Sequence, residues 1–438
     1  MKNRPFFLCA AQLLIFFSLI SLFPTGSAAR DYLDLSADVR KLPTAVPYFI
    51  DKSTGNTSES GRRFASLLSR SLEFHGFLTV IDPQIYGYGG RQDTDWKTLG
   101  AELAVLGQFE RKGDNLVIEM RLLDILNGQM IVGKRYRGSS KDHKLMLFKF
   151  CDDAIYKLTG EQGIALSQIT FVSGGSGAKE IYIADILGDQ IRQVTRHRDI
   201  TVSPKFTPDG RDLAYTSYHR GNPNLYLTEL SGSTTRAISW RPGLNLAPAF
   251  SPVNATMILT LSMDGNSDLY LAEATARPRQ QAKIIEQLTK NNGLNVSPSW
   301  SPDGKKIAFV SDRGGSPQIY VMDMKKRNAR RITFLGNYNT SPSWSPKGDL
   351  IAYAGFAGGV YQIFTISPEG GEPKQITNSW GSHESPSWSP DGRQIVFSRQ
   401  RNNDEEICAI FRNGSGLRPL FHLPGNQSLP QWSPRLPY

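Results

Sequence analysis

Six histidines, His75, His143, His197, His219, His383 and His422, are the side chains best suited to move protons or hold a metal near neutral pH. No two stand at the spacing of a helical metal pair, and "HESPS" at His383 is not a zinc-protease motif. There is no G-x-S-x-G elbow; "GGSG" at Gly174 reads as a hairpin loop. A phosphate-binding loop and a dinucleotide fingerprint are also absent from the sequence. Cys151 and Cys408 lie far apart and read as buried free thiols, not a disulfide framework. The expectation is therefore a non-enzyme with no cofactor and no metal. The chemistry left is recognition. Six segments, "HRDITV", "PGLNL", "NGLNV", "GNYNT", "WGSHE" and "PGNQS", carry polar tips at Asp199, Asn245, Asn295, Asn339, His383, Glu384 and Asn426. Side chains of this kind suit hydrogen bonding to a partner surface.

Each segment precedes one copy of a repeat. "SPSWSPDG" occurs at Ser297–Gly304 and again at Ser385–Gly392, with "SPSWSPKG" at Ser341–Gly348. The aromatic position runs Phe206, Phe250, Trp300, Trp344, Trp388, Trp432, at intervals of 44, 50, 44, 44 and 44 residues. That period fits a four-stranded propeller blade. In one unit, "SPSWS" is extended because residues before proline are pushed to β geometry. "SPDG" suits a type I turn. "KIAFVSD", "QIYVMD" and "RRIT" then supply three further strands. Strands two to four of an incomplete unit begin at Ile169, and a lone first strand, "LPQWSP", ends the chain. Their pairing would close six blades, so the repeat itself is expected to be scaffold and the six polar segments one rim.

Residues 43–165 lack the repeat. "AVPYFI" and "FLTVID" read as strands, "ESGRRFASLLSRSLEFHG" as a helix and "DWKTLGA" as a short helix. Three strands follow, the last two joined at Asn127–Gly128, a hairpin signal. "HKLMLFKFCDDAIYKLTG" closes the unit as a helix. The expected fold is a small α/β domain with a mixed sheet and helices at 43–165. An all-β six-bladed β-propeller of four-stranded blades follows at 166–438, its ring closed by the C-terminal strand.

Residues 1–29 have a basic start, an apolar run and small residues before Ala29, the pattern of a cleaved export signal. An uncleaved anchor is the alternative. Removing Lys2 and Arg4 lowers the net charge from +10 to +8, with no block of like charge. No nucleic-acid stripe is therefore expected. Residues 30–42, "RDYLDLSADVRKL", precede the first firm element and read as a mobile arm.

The export signal, the small α/β domain, "SPSWSPDGKKIAFVSDRGGSPQIYVMD", "APAFSP", "KLTG" and the terminal "QWSPRLPY" together resemble the TolB family of the Tol–Pal envelope system. The resemblance implies a periplasmic protein, monomeric on its own and touching membranes only through its partners. It implies binding of the lipoprotein Pal at the propeller rim and of the periplasmic domain of TolA at the mature N-terminus. It also implies a role in outer-membrane integrity and constriction at division. Carried over by position, the Pal rim is Asp199, Asn245, Leu246, Ala247, Asn295, Val296, Ser297, Asn339, Thr340, His383 and Glu384. The TolA-binding arm is Arg30, Asp31, Tyr32, Leu33, Asp34 and Leu35. The residues alone also allow a secreted propeller that binds a glycan or peptide, or an accessory module of a hydrolase.

Overall fold

A computed structural model describes residues 40–86, 94–232, 234–274, 280–291 and 293–436. The export signal (1–29) and residues 30–39 of the arm, including Arg30, Asp31, Tyr32, Leu33, Asp34 and Leu35, lie outside the described residues.

The N-terminal domain runs β1 (Leu42–Ala45), β2 (Ile50–Asp51), β3 (Asn56–Thr57), α1 (Glu59–Phe74), β4 (Leu78–Val80), β5 (Leu103–Lys112), β6 (Asn115–Asp124), β7 (Gln129–Ser139) and α2 (His143–Thr159). The sheet is mixed: β5 pairs in parallel with β1 and β2 and antiparallel with β6, which pairs with β7. In α1, Ser58 accepts a hydrogen bond from the Gly61 N–H, and Phe64, Leu67, Leu68 and Leu72 turn inward. Gly160 ends α2 in the left-handed conformation that glycine adopts freely.

Two local expectations are corrected. "AVPYFI" is not one strand; β1 and β2 flank an irregular stretch at 46–49. Pro47 has no N–H for a ladder, and the Phe49 N–H donates to the Gly61 carbonyl in α1 instead. "DWKTLGA" forms turns rather than a helix, with Gly100 at positive φ. Seven residues are too few to meet the nucleation cost of an isolated helix.

The propeller has six four-stranded sheets, as the repeat predicts. Each begins at the axis with an inner strand: Thr201–Phe206, Asn245–Phe250, Asn295–Trp300, Asn339–Trp344, Ser382–Trp388 and Gln427–Trp432. The last pairs antiparallel with Gln168–Ser173, placing Trp432 opposite Ile169 and closing the ring. The repeated aromatics wedge between blades. Trp300 Nε1 donates to the Ala249 carbonyl and Trp388 Nε1 to the Ser343 carbonyl, each on the preceding inner strand. The register of every inner strand slips at its Ser-Pro or equivalent pair. Ser203, Ser297, Ser341 and Ser385 stand there at φ of 54°, 55°, 53° and 56°. This bulge re-aims the Ser-Pro pairs toward the axis.

Antiparallel strands give the propeller two unlike faces. Turns between strands one and two, and between three and four, form one face. Loops between strands two and three, and those leading into the next inner strand, form the other. The N-terminal domain sits on the turn face. Glu161 bridges Lys347 and Arg393, Gln394 Nε2 donates to the Phe74 carbonyl, and Lys144 pairs with Asp185. Phe74 and Trp432 meet edge to face at 6.1 Å, inside a core cluster that runs from Val46 and Phe64 through Ile169 and Phe421. One apolar core thus spans both domains, and among the described residues nothing covers the opposite face of the ring.

Candidate functional site

The open face is built from the six polar segments and the hairpin loops beside them. It displays several large exposed apolar side chains. Ile200, Trp240, Leu294, Phe334, Leu335, Tyr338 and Trp380 lie in the segments leading to the inner strands, and Phe356 in a hairpin. Phe334 is 73% exposed, Trp380 64% and Leu335 60%. Single exposed apolar residues mean little, but a concentration on one face marks an interaction surface. Most of them fall in the fourth and fifth full blades. There Phe356 and Tyr338 each stand edge to face against Tyr361, at 5.3 and 5.9 Å, and the Arg331 guanidinium lies 4.8 Å from the Phe334 ring. Aromatic residues and arginine are the types that carry most interface energy.

The residues expected as polar tips divide. Asn245, Asn295, Asn339 and His383 are buried, and their reading as solvent-facing tips is corrected. They tie their own loops. Asn245 Nδ2 donates to the Arg241 carbonyl at 2.8 Å and Asn339 Nδ2 to the Leu335 carbonyl at 2.9 Å, each four residues upstream. Gln427, in the closing strand, repeats this bond to Leu423. Asn295 Nδ2 reaches the Asp268 carboxylate and the Gly293 carbonyl, while Arg313 donates to its Oδ1. His383 Nε2 meets the Ser379 hydroxyl, and burial pulls its pKa down to about 4. The three asparagine side chains spend hydrogen bonds on the fold, because an unpaired buried amide is costly. Asp199, Leu246, Val296, Thr340 and Glu384 remain partly accessible on this face. Burial raises the pKa of Glu384. Ser297 is exposed toward the axis. Ala247 lies on an inner strand beside them. The apolar tips between these positions were missed, although Trp240, Phe334 and Trp380 stand in Gly- and Asn-rich turn sequence where burial was not to be expected.

Among the described residues, one group of three could hold a metal: His75, Cys151 and Asp152, with ligand atoms within 4.8 Å of one another. The chemistry does not fit. His75 Nδ1 faces the Ser71 carbonyl at 2.9 Å, so it carries the proton, and Nε2 accepts from the Ile164 N–H at 3.1 Å. Asp152 accepts from the Ala165 and Leu166 N–H groups. Burial pushes the Cys151 thiol well above its ordinary pKa, so it stays protonated. A Cβ on Gly163 would meet Asp152 Oδ1 at 2.2 Å, so only glycine passes there. The cluster is a knot that fastens the interdomain segment.

The knot has a pH signature. Burial lowers His75 to about 4 from an ordinary 6.5. The folded chain resists a proton that the unfolded chain accepts, so stability is full above pH 6.5 and falls as pH drops toward 4. His383 acts in the same direction. His75→Gln is expected to flatten the decline of melting temperature between pH 6.5 and 4. An unchanged slope would show that His75 does not bear this load.

Family comparisons agree with the architecture. Residues 36–131 match a model described as the TolB amino-terminal domain, and residues 155–436 match the TolB beta propeller domain. A protein named Tol-Pal system protein TolB from Desulfotalea psychrophila is 43% identical over 327 residues, 73% of this chain and 63% of that relative. One of the same name from Desulfosudis oleivorans is 38% identical over 225 residues, 48% of this chain and 51% of that relative. The matched segments thus span less than two thirds of either relative. The crystal structure of TolB from Acinetobacter baumannii superposes with a TM-score of 0.78 at 26% identity, covering 91% of this chain and 97% of that one. With an N-terminal domain and a propeller that both match in order, the propeller model alone covering more than half of the sequence, this chain belongs to the TolB family.

Proposed function

We propose that this chain is a periplasmic, non-catalytic interaction component of the Tol–Pal envelope system that holds Pal on the open face of its propeller. The observation that supports this most is the asymmetry of the ring. One face carries the N-terminal domain, while the other displays eight large exposed apolar side chains among the described residues. The relatives' Tol–Pal name supplies the system. Asp199, Leu246, Val296, Thr340 and Glu384 serve as rim positions, with Phe334, Tyr338 and Trp380 as anchors. Asn245, Asn295, Asn339 and His383 act indirectly, by shaping the loops. The arm from Arg30 to Lys41 is the handle for TolA. Its pull on the N-terminal domain is transmitted through the shared core to the ring, and Pal, held there, exchanges with peptidoglycan. In the cell this supports outer-membrane integrity and constriction at division.

Calorimetric titration of residues 30–438 with the soluble domain of Pal from the same organism tests the reading. A one-to-one complex supports it. A folded protein that shows no micromolar binding would leave only a shared fold. For the handle, deleting residues 30–41 is expected to abolish binding to the TolA periplasmic domain while Pal affinity stays within about threefold, since most interface energy sits in a few contacts. Unchanged TolA binding by the deletion would refute the arm's role.

A further inference from the structure

The six inner strands enclose a narrow axial cavity of about 140 Å³. Every blade contributes to its described lining, chiefly through the bulged pairs Ser203–Pro204, Ser297–Pro298, Ser341–Pro342, Ser385–Pro386 and Leu429–Pro430. The lining holds one charged side chain, Lys205. Among the described residues, Lys205 has no carboxylate in ion-pair range. Its ammonium meets one partner, Gln431 Oε1. Gln431 is itself oriented, because its Nε2 donates to the Ser387 hydroxyl at 2.9 Å. An ammonium has three donors, so two are left for the cavity.

The serines point the same way chemically. Among the described residues, the hydroxyls of Ser203, Ser297, Ser341 and Ser385 make no hydrogen bond within the chain, and they line the cavity from four blades. Each is a rotatable donor. Lys205 is also a departure from the repeat. Its counterparts on the other inner strands are Ala249, Ser299, Ser343, Ser387 and Gln431, all neutral. A desolvated charge without a counter-charge is unfavourable, and burial draws the Lys205 pKa down to about 8. The side chain is only partly covered by protein, and it faces the narrow axial channel.

We propose that the axial channel binds one small oxyanion, of the phosphate or sulfate class, between Lys205 and the ring of serine hydroxyls. The positive charge, the convergent hydroxyl donors and the absence of carboxylate from the described lining select an anion over a cation. The site lies on the axis beneath the open face and does not depend on which partner that face holds.

The test is calorimetry and thermal unfolding of residues 30–438, with sodium phosphate and sodium sulfate titrated against sodium chloride at constant ionic strength. The wild-type protein is expected to bind one phosphate or sulfate saturably and to melt at higher temperature as it does. Lys205→Met is expected to bind at least ten-fold more weakly. In chloride alone it is expected to melt no lower than wild type, because it removes a desolvated charge. A double variant, Ser297→Ala with Ser341→Ala, breaks no hydrogen bond among the described residues, so it provides a second arm, with several-fold weaker binding expected. Wild-type protein with no response beyond chloride, or equal responses in wild type and both variants, would overturn the proposal.

Discussion

Replacing Phe334 and Trp380 together by alanine is expected to weaken Pal binding by about 100-fold or more while leaving the melting temperature nearly unchanged. Both side chains stand largely free of the fold, at 73% and 64% exposure. Truncating them removes little native packing. In a complex they become desolvated aromatic anchors, each on the order of 2 kcal/mol, and about 1.4 kcal/mol is a factor of ten. Val253→Ala is the control. Val253 is similarly exposed but sits in a turn on the face that carries the N-terminal domain. It is expected to change Pal affinity less than twofold. Calorimetry on the three proteins measures this. Equal affinities across the set would remove the anchors from the fourth and fifth blades.

The second large effect concerns closure. Trp432→Ala is expected to cost about 3–5 kcal/mol of stability, the usual range for a buried large aromatic. Trp432 is 3% exposed, its Nε1 donates to the Ser167 hydroxyl at 2.8 Å, and its ring meets Phe74 across the domain boundary. Its backbone N–H also donates to Ser387 in the neighbouring blade. One side chain therefore serves ring closure, blade packing and domain docking. Ending the chain before Gln427 removes the whole inner strand and leaves Gln168–Ser173 as an open edge, which invites association. That protein is expected to be oligomeric or insoluble. Urea midpoints and sedimentation read both effects; a Trp432→Ala midpoint equal to wild type would contradict the closing role.

Much of this fold was legible because repeats expose their own logic. Every blade must bury the same wedge, so the aromatic of "SPxW" keeps its interval, and the split blade at the two ends announces closure. The α/β domain followed from amphipathic spacing in α1 and the hairpin at Asn127–Gly128. The site was less legible. Asn is polar whether it faces a partner or ties a loop, so Asn245, Asn295 and Asn339 looked like contacts. Their recurrence at one register of the repeat was the available clue. A residue fixed by the blade's geometry repeats with it, whereas partner-facing positions are free to vary. The occupied face could not be read at all. It depends on contacts such as Glu161 with Arg393, 232 residues apart, which no local pattern encodes. Lys205 was visible as a break in the repeat, but its isolation in the axial channel is a property of six strands together.

Hydrogen exchange of residues 30–438 with and without the soluble Pal domain tests the central claim most directly. The account predicts slowed exchange in the open-face loops, strongest around residues 334–339, 356–361 and 378–384. The turns at 301–304, 345–348 and 389–392, on the face carrying the N-terminal domain, should be unchanged. Protection of those turns with free exchange in the open-face loops would place the partner on the wrong side of the ring and contradict the account.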